Sequence, residues 1–74
     1  MLKITLVEYI NRHWSRFEVY KDDDLLCELN KFAEVKDNFI IEYDAIGGHD
    51  NPKKGDIIKK ISIKDCEFEH VRKR

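Results

Sequence analysis

One proline, three glycines and two cysteines are scattered through 74 residues, and 14 Lys+Arg stand against 15 Asp+Glu for a formal net charge of −1. Each scarcity excludes something. Cys27 and Cys66 allow at most one disulfide, too few for the stapled frameworks on which small secreted domains depend. Both are therefore read as free thiols in a reducing, cytoplasmic setting. The balanced charge removes the polybasic tail and the acidic disordered segment as classes, so no partner can be named from net charge.

Long apolar runs are absent too. The longest are pairs and triples such as Phe39-Ile40-Ile41, far short of the roughly 20 residues that a membrane-spanning helix needs. No membrane partner is expected. Residues 2–8 carry no basic leader region and no small-residue cleavage site, and they read as a first strand. The length leaves room for one compact domain, residues 1–71, with Arg72-Lys73-Arg74 as a frayed basic tail. A deep pocket would consume much of so small a core, which favours a binding surface over an enzyme.

The apolar residues present lean to sheet. Nine Ile and four Val stand against five Leu and two Ala, with four Phe, three Tyr and one Trp, and β-branched and aromatic side chains suit a pleated surface. Leu2, Ile4 and Leu6 alternate with Lys3 and Thr5, after which Val7 and Tyr9 take the other parity. That change requires either a bulge near Leu6-Val7 or a strand covered on both faces. Arg16 to Lys21 alternates again, giving a hairpin.

Residues 22–35 fit two templates. Leu25, Leu26, Leu29, Phe32 and Ala33 make a helical stripe, while Leu25, Cys27, Leu29, Ala33 and Val35 share one face of a strand interrupted by Lys31. The strand is preferred because Lys36-Asp37-Asn38 reads as a tight turn into Phe39-Ile41-Tyr43, Asp and Asn being tolerant of the left-handed region. Gly47 to Gly55 gathers every glycine and the proline into one loop. Residues 56–71 resume as a long strand with a bend at Lys64-Asp65. The expected fold is all-β, a single antiparallel sheet of about five strands forming a meander or small barrel, with α+β as the alternative if residues 22–35 are helical.

No catalytic, metal or cofactor constellation stands out. Cys66-x3-His70 is the one close ligand pair, and on a strand it would span roughly 13 Å. His49-Asp50 is turn chemistry, and no hydroxyl sits in a nucleophile elbow. The expected function is a small non-catalytic module that binds another protein, a regulator or inhibitor of the kind that phages and mobile elements encode. Trp14, Arg12, Arg16 and Tyr20 form an aromatic and arginine group of hot-spot type, and Asp22, Asp23 and Asp24 offer charge to a basic surface. Pairing of exposed strand edges could also make a homodimer. The alternative is a small β-barrel that holds nucleic acid with Lys53, Lys54, Lys59 and Lys60, although residues 38–74 sum to only +1, eight basic minus seven acidic.

Overall fold

The computed structural model describes residues 2–11, 15–48 and 50–74. Seven strands run in order: β1 (Lys3–Ile10), β2 (Ser15–Lys21), β3 (Asp24–Leu29), β4 (Ala33–Lys36), β5 (Phe39–Ile46), β6 (Lys53–Ser62) and β7 (Glu67–Lys73). They form a first sheet in the order β3-β2-β1-β7 and a second in the order β4-β5-β6. The all-β class is the one expected. The strands number seven instead of five, however, and they divide between two sheets. Every pairing is antiparallel except β1 with β7.

Two corners account for the extra strands. Residues 22–35 contain no helix, and the strand preferred there breaks at Asn30. The Asn30 amide N–H donates to Glu42 Oε2 (2.8 Å) and its side-chain Nδ2 to the Tyr43 carbonyl (2.9 Å), while its Oδ1 accepts from the Phe32 N–H (2.7 Å). One asparagine thus satisfies the backbone on both sides of the bend. It carries the chain from β3 in the first sheet to β4 in the second. The second corner is residues 63–66, where Asp65 takes a φ of 61° and the Cys66 N–H donates to the Ile63 carbonyl (3.3 Å). The bend expected at Lys64-Asp65 is there, and it ends β6 and delivers β7 to β1.

Between the sheets lies one apolar core of Ile4, Leu6, Phe17, Val19, Leu29 and Ile40, flanked by Cys27, Ala33, Ile61, Ile63, Cys66 and Phe68. The second corner packs Ile63 and Cys66 against it, and the first lies between Leu29, a core residue of β3, and Ala33, which packs against the core from β4. The pairings of β1 with β2 and with β7 run without a register shift, so the parity change at Leu6-Val7 is no bulge. Val7 is buried on the face away from the core, so β1 carries a buried apolar residue on each face. β7 extends through Lys73, with Arg72 opposite Glu8 and Lys73 opposite Tyr9, so these residues belong to the sheet and not to a frayed tail.

Turn chemistry follows the sequence closely at Asp37 and Asn38, both with positive φ (52° and 65°) between the paired residues Lys36 and Phe39. Two consecutive left-handed residues match the twist of a two-residue hairpin. The glycine loop is shorter than the sequence suggested, because β6 already starts at Lys53 and takes in Gly55. A Cβ on Gly55 would lie 3.0 Å from Ile46 Cγ2 and 3.1 Å from the Asp44 carbonyl oxygen, so a side chain there would crowd the close approach of β5 and β6.

Candidate interaction surfaces

Residues paired directly across a sheet share a face, so the registers lay out both outer surfaces. Four rows cross the outer face of the first sheet: Glu67 and Lys3; Glu69, Thr5, Tyr20 and Leu25; Val71, Val7, Glu18 and Glu28; and Lys73, Tyr9 and Arg16. At its centre Glu18 is 8% exposed. Its Oε1 accepts the Tyr20 hydroxyl at 3.1 Å, and hydrogen bonding to Glu18 pushes the Tyr9 and Tyr20 hydroxyls above their usual pKa. Arg16 packs over the Tyr9 ring at 4.9 Å and approaches Glu28 Oε1 at 3.7 Å, which offsets the repulsion between the facing Glu18 and Glu28.

Beside this cluster is a shallow open cleft of about 360 Å³ lined by Lys3, Thr5, Tyr20, Asp22, Asp23 and Glu69. Asp22, with a φ of 55°, accepts the Lys3 N–H on its Oδ1 at 3.2 Å. The structure therefore brings Arg16, Tyr20, Asp22 and Asp23 to one surface. Asp24 faces Lys21 on the opposite parity, while Arg12 and Trp14 lie outside the described residues. Sequence reasoning passed over Glu18, which reads as an ordinary solvent-facing position in an alternating strand. Val7 opposite it and the Tyr9 and Tyr20 hydroxyls that hydrogen-bond to it make it a covered carboxylate.

The outer face of the second sheet is built from the same alternation with opposite charge. Ser62, Phe39 and Lys36 form one row, Lys60, Ile41 and Glu34 the next, then Ile57 with Tyr43, and Lys54 with Ala45. Lys60 Nζ sits 4.4 Å from the Phe39 ring centre and Lys54 Nζ 3.9 Å from that of Tyr43. The Tyr43 hydroxyl donates to Glu34 Oε1 at 2.5 Å, a bond that raises the Tyr43 pKa and lowers that of Glu34. The four lysines of the nucleic-acid reading separate here. Lys54 and Lys60 share this face, whereas Lys59 turns to the core side, 4.0 Å from Glu42, and Lys53 pairs with Ile46.

Scans of protein-family models, curated proteins and solved structures found no match. The surfaces must speak for themselves. Among the described residues no group of three or more His, Cys, Asp or Glu is placed to hold a metal ion, and no helix is long and apolar enough to cross a membrane. His70 Nε2 lies 3.0 Å from Glu8 Oε1, with Arg72 Nε 3.4 Å from the same oxygen. Cys66 Sγ donates to the Lys64 carbonyl at 3.5 Å, and burial pushes the Cys27 thiol up. Both cysteines are free.

Proposed function

We propose that the protein is a small non-catalytic module that binds another protein through the outer face of its first sheet, acting as a regulator or inhibitor. One observation carries this reading: Tyr9, Arg16, Glu18 and Tyr20 form a pre-ordered patch beside an acidic, open cleft. Tyrosine and arginine supply large contact areas, and side chains already fixed by mutual hydrogen bonds lose little freedom on binding. The carboxylates on this face and its rim, Glu18, Glu28, Glu67, Glu69, Asp22 and Asp23, outnumber Lys3, Arg16 and Lys73. A basic surface on the partner fits that balance.

A second reading rests on the lysines over Phe39 and Tyr43, since a cationic face with aromatic rings suits single-stranded nucleic acid. Affinity capture separates the two, run with wild type, with Tyr20→Ala combined with Asp22→Lys and Asp23→Lys, and with Lys54→Glu combined with Lys60→Glu. The proposal expects capture of a protein that survives nuclease and is lost only with the first set of changes. Capture that needs nucleic acid and is lost only with the second set overturns it.

A further inference from the structure

Strands β3 and β6 are edges of different sheets, and each carries a bulge at the same kind of place. In β3 the pairs Val19 with Cys27 and Tyr20 with Leu25 leave Leu26 as an extra residue; in β6 the pairs Glu42 with Lys59 and Tyr43 with Ile57 leave Ile58. A regular strand buries one of two successive side chains against its sheet. A bulge re-aims the extra one, and here both members of each doublet emerge. Leu25 and Leu26 are 51% and 50% exposed, and Ile57 and Ile58 are 49% and 55% exposed.

The charges around the two doublets are opposite. Asp22, Asp23 and Asp24 lead directly into Leu25-Leu26, whereas Lys53, Lys54 and Lys60 lie along the chain around Ile57-Ile58 and outnumber the single Asp56 before it, Lys59 being turned towards Glu42. We propose that the leucine doublet of one copy docks against the isoleucine doublet of a second copy, so that the chain associates head to tail. The complement that each doublet calls for, aliphatic and of opposite charge, is present on the chain itself. A net charge of only −1 leaves little overall repulsion between copies.

The contact runs through side chains, because bulges and edge lysines oppose a continuous backbone ladder. Two doublets with flanking charges make a small interface, which places the association in the weak, reversible class. The two patches lie on edges of different sheets, so a single docking event is heterologous and leaves one patch of each kind free for a further copy. This inference stands independently of the protein-binding reading, since it needs no foreign partner.

Sedimentation equilibrium of the full chain across the micromolar to millimolar range tests it, with Leu26→Asn, Ile58→Asn and their equimolar mixture. The wild-type average mass should rise with concentration. Each variant alone should associate about tenfold more weakly or less, with an unchanged far-ultraviolet spectrum showing that it folds. The mixture should recover wild-type affinity but stop at the dimer, because each variant keeps the one patch that the other has lost. A wild type that stays monomeric throughout overturns the proposal, as does association that either variant leaves intact or that mixing fails to restore. Docking of a foreign protein on these doublets while the pure chain remains monomeric also overturns it.

Discussion

The outer faces of the two sheets are built from the same period-two alternation, yet they differ in sign and in how they hold their aromatic rings. On the first sheet the tyrosines converge on a buried carboxylate, Glu18, under an acidic rim. On the second, lysines lie across Phe39 and Tyr43, and one carboxylate, Glu34, anchors a single hydroxyl. Charges that interleave along the chain are thus sorted by folding into an acidic and a basic side. Near-neutral net charge conceals this polarity, because the sorting depends on which residues meet across strands and not on their totals.

The largest expected effect breaks what the two faces share. Ile40 is fully buried and brings the second sheet against Ile4, Leu6 and Val19 of the first. Ile40→Ala should cost about 2–5 kcal/mol, a large part of the about 5–15 kcal/mol available to a typical domain. Urea denaturation followed by far-ultraviolet circular dichroism and by amide exchange in each sheet should show both sheets lost in one transition at lower urea. Two separated transitions would mean that the sheets are independent units and that the polarity belongs to neither as a whole.

A smaller effect should fall on one side only. Gly55→Ala places a methyl group against Ile46 and against the Asp44 carbonyl oxygen, and backbone cannot give way as a flexible side chain can. A loss of about 1–3 kcal/mol is expected. Amide exchange should quicken in β5 and β6 while β1 and β2 keep their protection. Equal loss in both sheets would show that the hairpin end is coupled to the core as tightly as Ile40 is.

The share of this that was legible in the sequence follows from how local each cause is. Asp37-Asn38 could be read as a turn because its left-handed backbone depends on those two residues alone. The break at Asn30 could not, since its hydrogen bonds reach Glu42 and Tyr43, 12 and 13 residues away. The bulges at Leu26 and Ile58 are hidden for the same reason, because an extra residue exists only relative to a partner strand. Arg16, Tyr20, Asp22 and Asp23 were found as candidates through their residue types, and their common surface came from proximity in one hairpin. The four lysines fail as a set because Lys53-Lys54 and Lys59-Lys60 are neighbours along β6, and neighbours on a strand face opposite sides of the sheet.

The most delicate test sets the two carboxylate anchors against each other by titration. All three tyrosines have raised pKa values, Tyr9 and Tyr20 through Glu18 and Tyr43 through Glu34. A tyrosine whose folded pKa exceeds its unfolded value of 10.0 stabilises the fold below pH 10, and that contribution is lost as pH rises through the folded pKa. Glu34 has the opposite sign: its contribution is present above pH 4.5 and is lost as pH falls through its lowered pKa. Ultraviolet titration should therefore show all three hydroxyls ionising above pH 10. Glu18→Gln should bring two of the three midpoints back towards 10 and leave the third, whereas Glu34→Gln should move only that third one and also reduce the acid-side loss of stability. If either substitution shifts all three tyrosines together, the faces are not electrostatically separate, and the acidic and basic sides act as one field.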